Sequence, residues 1–317
     1  MASFAIKVIR HALAGVSVIS PEAAGRLAFK LFSVTPGRKP KSAKERAALA
    51  AAVPVIAKGK PVTLSYAGGW VMARHFTSSR NAANAKRVLL VHGWGSRSDY
   101  LAAMIEGLVA GGAEVVTLDW PGHGASPGRT LTMPAAVRAI DAAWRHFGGF
   151  DVSVGHSFGG ASLACAAGGV VCDVPSHVAK KLVLIGAPSE MTWLFKGFGK
   201  VLRLSSKTQR AFEAVVERLS GRRLEDFDAA KILEVRAVPT LIIHAEDDKE
   251  VSAEHARRYA AAGPNVELHW ANGYGHRRIV SAVPVIDRIN AFVHGEDRKA
   301  AEAMRLEKSA VHLGSRT

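Results

Sequence analysis

Ser157 stands between two glycines in Gly155-His156-Ser157-Phe158-Gly159, directly after the apolar run 151–154 and directly before the small-residue segment 160–167. This order predicts a strand, a sharp turn and a helix, with the serine at the apex. Glycines at 155 and 159 leave room for a strained backbone that projects the hydroxyl off the top of a sheet. The helix behind it points its first N–H groups at the place where negative charge would develop. A serine held in this way suits nucleophilic attack on a carbonyl. That chemistry also needs a base, an acid to orient the base, and donors for the oxyanion.

A candidate for each follows a predicted strand, at the carboxyl end where sites in open parallel sheets are built. The base candidate is His276, in Asn272-Gly273-Tyr274-Gly275-His276 after the last predicted strand. The orienting acid lies in Glu246-Asp247-Asp248, just past the strand at 240–243, where three adjacent carboxylates compete. The backbone N–H of Phe158 is one oxyanion donor. The second is expected from His92-Gly93-Trp94-Gly95-Ser96, with Trp94 as the donor and its ring as a candidate pocket wall. Asp119-Trp120-Pro121-Gly122-His123-Gly124-Ala125-Ser126 reads as a structural turn beside the pocket.

Positioning these turns requires a rigid frame, and the chain from residue 62 onward supplies its pattern. Segments 62–67 and 70–77 flank Gly68-Gly69 as a hairpin. Apolar strands at 87–91, 114–118, 151–154, 181–185, 240–243 and 266–270 alternate with helix stripes such as Leu101, Met104, Ile105 and Leu108. Alternation of this kind predicts an α/β fold, a mostly parallel sheet with helices on both faces. The core is expected at 61–189 and 238–297. Between its parts, residues 190–237 are helical in composition and read as a cap. There Trp193, Phe195 and Phe198, with Met191 and Leu194, are candidates to line a substrate entrance, to pack the cap on the core, or both. The charged, helix-prone tail 298–317 is expected to be peripheral.

The chain has 317 residues, 48% of them hydrophobic, and a formal net charge of +15. Eleven Lys and Arg fall in the first sixty residues against only Glu22 and Glu45, so the excess lies outside the motif-bearing part of the chain. Such a balance favours anionic neighbours, and no aromatic interleaving or nucleic-acid motif accompanies it, which argues against nucleic acid. Residues 1–60 read as a basic helical extension. Phe4, Val8, Ile9 and Leu13 share one helical face, and Ser20-Pro21-Glu22 starts a second helix. The extension is expected either to pack on the main domain or to lie on an anionic membrane surface. As a secretory leader it fits poorly, because the apolar stretch 12–19 is short and no cleavage site follows. Cys165 and Cys172 suit a reducing compartment. The expected location is cytoplasmic, with peripheral membrane association as an extension of it.

Taken together, His92-Gly93-Trp94-Gly95, Asp119-x-Pro121-Gly122-His123-Gly124-x-Ser126, Gly155-His156-Ser157-Phe158-Gly159, Asp248-x-x-Val251 and Gly275-His276 resemble the α/β-hydrolase superfamily over roughly residues 62–295. The resemblance implies an eight-stranded sheet, a cap between the sixth and seventh strands, no metal and no cofactor. It also selects Asp248 among the three acids, giving the order Ser157, Asp248, His276. A serine nucleophile disfavours the dehalogenase and epoxide-hydrolase branches, which need a carboxylate there. Hydrolysis of a small-molecule carboxylic ester, including lipid-type esters, is the expected activity. Thioester hydrolysis or acyl transfer with the same residues, peptidase activity, and a non-catalytic binding role are the competing readings. The departures from the superfamily pattern are the long basic extension and the short cap.

Overall fold

The computed structural model describes residues 4–78 and 85–295. The expected tail 298–317 lies outside the described residues. Three helices come first: α1 (Phe4–Ile19), α2 (Pro21–Ser33) and α3 (Ala43–Ile56). The side chains of Ser20 and Ser42 cap α2 and α3 by accepting from Ala23 N and Glu45 N. Then follow β1 (Lys60–Tyr66), β2 (Gly69–Phe76), β3 (Arg87–Val91), α4 (Ala102–Ala110), β4 (Glu114–Leu118), α5 (Met133–Phe147), β5 (Val152–His156), α6 (Phe158–Gly168) and β6 (Lys181–Ile185). The cap helices α7 (Met191–Leu202), α8 (Ser206–Ser220) and α9 (Ala229–Arg236) come next. The chain ends with β7 (Thr240–His244), α10 (Ala253–Ala260), β8 (Val266–Trp270), α11 (Gly275–Arg278) and α12 (Val283–His294).

The eight strands form one sheet in the order β1-β2-β4-β3-β5-β6-β7-β8. β2 runs antiparallel to both β1 and β4, and every other neighbouring pair is parallel. The inner strands β3 to β7 are buried on both faces, with period-two alternation sorting side chains between two cores, while the edge strands β1 and β8 are partly exposed. Leu89, Val91, Val116 and Leu118 face α5 and α6. Val88, Leu90 and Val115 face Met104 and Leu108 of α4 and Ile286 and Ile289 of α12.

The amino-terminal helices are built into this structure. Ala28 and Phe29 of α2 share the first apolar core with Phe195 of α7 and Phe212 of α8. A methyl group on Gly25 would fall 2.7 Å from the backbone carbon of Ala211, so α2 and α8 pack with no room for a side chain. α1 docks by part of the expected face, Ile9 and Leu13, and by polar contacts beside it. Leu13 is buried, Arg10 Nε donates to Val201 O at 2.8 Å, and Ser17 Oγ lies 2.6 Å from Thr208 Oγ1. Those contacts turn Phe4 and Val8 outward, leaving them 82% and 50% exposed, with Val18 and Ile19 at 88% and 89%. Among the described residues no helix is long and apolar enough to cross a membrane.

Candidate active site

Ser157 occupies the turn between β5 and α6 with φ 54° and ψ −122°, a region that costs a non-glycine residue about 1–3 kcal/mol. The neighbouring glycines explain how the chain reaches it. A methyl group on Gly155 would stand 2.5 Å from Gly160 N, and one on Gly159 would stand 2.6 Å from His92 O. The turn is therefore wedged against the loop after β3, the segment that contains Trp94.

His276, at the start of α11, and Asp248, in the loop after β7, meet Ser157 in a chain of hydrogen bonds. His276 Nδ1 lies 2.7 Å from Asp248 Oδ2, and its Nε2 lies 3.0 Å from Ser157 Oγ. A carboxylate can only accept, so the ring proton sits on Nδ1 and Nε2 accepts the serine hydroxyl. Burial pushes the Asp248 carboxyl up. The bond from His276 and the N–H groups of Val251 and Glu250, at 2.9 and 2.8 Å, more than offset it and leave the group below the usual carboxylate range. The competing acids point elsewhere. Asp247 accepts from Gly273 N, while Glu246 pairs with Arg257 and Asn272.

The N–H groups of Trp94 and Phe158 donate to no partner among the described residues. The loop around Trp94 is held by the Asp119–Ser126 turn. His123 Nε2 accepts from Gly95 N at 2.9 Å, and Asp119 accepts from Ser98 and Ala125. Burial and the neighbouring His92 lower His123 to about 4, so its Nε2 keeps the lone pair this contact needs.

His156 is a contact that sequence reasoning passed over. Its ring is buried, and Nε2 donates to His276 O at 2.8 Å. Burial and the adjacent His276 lower it to about 3, which keeps it neutral as it fixes the backbone that carries His276. Its place inside the glycine-serine turn masked it, since any residue type can occupy that position.

Ser157 and His276 open into a cavity of about 1080 Å³. The expected Trp94, Trp193, Phe195 and Phe198 line it, together with Phe158. So do Phe29 and Phe32 of α2 and a basic segment that begins at Arg38. The amino-terminal charge was expected outside the motif-bearing part of the chain, and the fold brings part of it to the site. Thr35 Oγ1 donates to Gly122 O at 3.2 Å, and Arg38 Nη2 donates to Gly128 O at 2.7 Å. The only signal for this was the helix-ending Thr35-Pro36-Gly37, which marks a turn without saying where it leads. Among the described residues no group of three or more His, Cys, Asp or Glu side chains is placed to hold a metal ion.

Comparison with curated proteins gives no match. Solved structures share the fold at low identity. A putative lipase from Acinetobacter baumannii is 18% identical, with 83% of this chain and 100% of that chain covered at a TM-score of 0.58. A proline iminopeptidase from Mycobacterium smegmatis is 17% identical, covering 76% and 100% at 0.57. The naproxen esterase of Bacillus subtilis is 14% identical, covering 81% and 99% at 0.57. A family model, that of the alpha/beta hydrolase family, matches residues 88–288 and supports hydrolase activity. That match runs from β3 into α12 and takes in every turn that meets at Ser157: the chain belongs to the alpha/beta hydrolase family.

Proposed function

We propose that the protein is a serine hydrolase that cleaves carboxylic esters through an acyl-enzyme. The observation that carries this reading is the line of hydrogen bonds from Asp248 through His276 to Ser157, at 2.7 and 3.0 Å. Ser157 Oγ bonds to the ester carbonyl carbon while its proton passes to His276 Nε2. The carbonyl oxygen becomes an oxyanion and accepts from the N–H groups of Trp94 and Phe158, each such donor contributing roughly 10²–10³ in rate. The bond to the alcohol oxygen then breaks, and His276 returns the proton to the leaving alkoxide. Water, deprotonated by the same nitrogen, attacks the acyl carbonyl; the bond to Ser157 Oγ then breaks, His276 returns the proton to that oxygen, and the acid is released. Asp248 holds the tautomer and stabilises the imidazolium without taking its proton. A peptidase reading draws no support from the cap acids, since Glu213, Glu217, Glu225 and Asp226 are not among the residues that line the cavity.

The test is kcat/KM on p-nitrophenyl esters from two to sixteen carbons, wild type beside Ser157→Ala, with fluorophosphonate labelling of both. Turnover and labelling that vanish in the variant are expected. A wild type inert to the whole series and to the probe overturns the reading.

A lipid surface is a separate proposal for the partner of α1. Phe4, Val8, Val18 and Ile19 form its exposed outer stripe, and the exposed Arg26, Lys207, Arg210 and Arg218 line a groove between α2 and α8. Apolar insertion beside clustered cations suits anionic lipid. Co-sedimentation with phosphatidylglycerol vesicles should fall at least tenfold in Phe4→Glu/Val18→Glu/Ile19→Glu. Equal sedimentation of wild type and variant would remove the proposal.

A further inference from the structure

The lining of the cavity divides by origin into two kinds of wall. One is aromatic: Phe32 of α2 has its ring centre 4.7 Å from that of Phe195 and 5.1 Å from that of Phe198 on α7. The other is cationic, with seven Lys and Arg against two glutamates, Glu45 and Glu250. Several of these cations have their own partners. Arg97 is tied to Asp99 and Arg277 to Glu250, while Arg278 donates to Gly273 O. Arg38 is fixed over the Asp119–Ser126 turn by Gly122 O and Gly128 O. Lys39, Lys41 and Lys44 differ. All three are exposed, and their ammonium groups have no ion pair or hydrogen bond among the described residues. Glu45, whose carboxylate accepts from the N–H of Lys41, offsets only one of the four positive charges at Arg38, Lys39, Lys41 and Lys44.

We propose that this cavity takes an amphiphilic ester with an apolar acyl chain on the aromatic wall and a phosphate-bearing leaving group at Lys39, Lys41 and Lys44. The assignment rests on the ester-hydrolase reading for the scissile bond, and it deepens that reading by naming the substrate class. Three unpaired ammonium groups beside a guanidinium already fixed in place exceed what a neutral alcohol can use, and they match a multiply charged oxyanion. The aromatic wall excludes water from a chain of many carbons, each buried methylene contributing about 0.8 kcal/mol. The segment 38–44 reaches the cavity because Thr35 and Arg38 are pinned to the core and α2 is locked against α8.

Binding separates this proposal from the catalytic one. In Ser157→Ala, decyl phosphate below its micellar concentration and decanol are titrated against the fluorescence of Trp94 and Trp193, both in the lining. Decyl phosphate is expected to bind at least tenfold tighter than decanol at low salt. That advantage should shrink below threefold in 0.5 M NaCl, and also on adding Lys39→Glu, Lys41→Glu and Lys44→Glu together. These exposed substitutions leave the core untouched, and the salt arm reads the same contacts with no substitution at all. Equal affinity for the two ligands, or an advantage that survives both salt and charge reversal, overturns the proposal. Inorganic phosphate alone should compete only at millimolar concentration, and phosphate binding as tight as decyl phosphate would mark a free-anion site and overturn the amphiphile assignment. Failure of the p-nitrophenyl assay with this selectivity intact would remove the hydrolase reading and leave the ligand class standing.

Discussion

Among the described residues two serine–histidine pairs follow neighbouring strands, β5 and β6, and they differ in geometry and access. Ser157 is half-buried at a strained turn, its oxygen open to the cavity and 3.0 Å from a ring nitrogen free to accept. Ser189 follows β6 and is fully buried, with Oγ 2.9 Å from His255 Nδ1. That nitrogen also accepts the backbone N–H of Ser189 at 3.1 Å, so its lone pair is shared. Ser189 Oγ receives Arg258 Nη1 at 3.1 Å, which draws electron density away from the oxygen a nucleophile would use. Behind His276 stands a carboxylate; among the described residues no carboxylate bonds the ring of His255. Arg258 spends its other nitrogen on Asp228, the residue that caps α9. The second pair therefore ties the segment after β6 and the start of α9 to α10. Residue type is shared between the two, and backbone angle, access and the third partner decide the role.

Alanine substitution at each serine tests this contrast most strongly. Ser157→Ala should lower kcat/KM at least about 10⁴-fold, with unfolding free energy changed by less than about 1 kcal/mol. Ser189→Ala should leave kcat/KM within about threefold and cost about 1 kcal/mol of stability. Ester turnover surviving Ser157→Ala but lost in Ser189→Ala would reverse the two roles. The third partners come next. Asp248→Asn is expected to lower kcat roughly 10²–10⁴-fold, because the amide can hold the wrong tautomer of His276. Asp247→Asn and Glu246→Gln should stay within a few-fold. Arg258→Leu should leave kcat nearly intact and cost about 2 kcal/mol by urea unfolding, since the side chain of Asp228 is only 8% exposed and loses the nearer of its two cations, keeping Lys231 at 3.8 Å. A loss in kcat with stability unchanged would place Arg258 in the site.

The sequence made one of these pairs legible and hid the other. The turn at Ser157 could be read because glycine at 155 and 159 is a steric demand of the backbone, visible wherever strand and helix meet so abruptly. The sheet was readable because buried parallel strands are short apolar runs punctuated by turns. Which of Glu246, Asp247 and Asp248 meets His276 depends on how a few loop residues point, and composition is silent on that. Pro188-Ser189 and His255 carry no local signature at all. Their contact spans 66 residues and follows only from the packing of α9 and α10. The same reason hid Phe29 and Phe32. On α2 they look like ordinary core residues, and their place beside Phe195 depends on the fit of Gly25 against Ala211 in α8. Local pattern sets the elements and their turns. Which helix face meets which is a long-range matter of shape.

The smallest effect, and the one that separates the two clusters by pH, concerns His255. Burial lowers its pKa first. His244 and Arg258 push the same way, and Glu190 and Glu254 oppose them. The ring is thus neutral in the fold, as its acceptance of the Ser189 N–H requires. Below about pH 6.5 the unfolded chain takes up a proton that the native ring refuses, so this contribution is complete above that pH and fades as pH falls toward the native pKa. Asp248, whose pKa is also depressed, follows the same sign in a lower window. Its contribution is complete above the ordinary carboxylate value near 4 and is lost only as pH falls through its lower native value. His255→Asn, whose side-chain oxygen can replace Nδ1 as acceptor, should flatten the stability slope between pH 6.5 and 5 by up to about 1.4 kcal/mol per pH unit. Asp248→Asn should leave that window unchanged and flatten the slope only below about pH 4. A slope between pH 6.5 and 5 that His255→Asn does not alter would mean that the native ring is protonated there. Its nitrogen could then not accept from Ser189, and the second pair would have to be held by Arg258 alone.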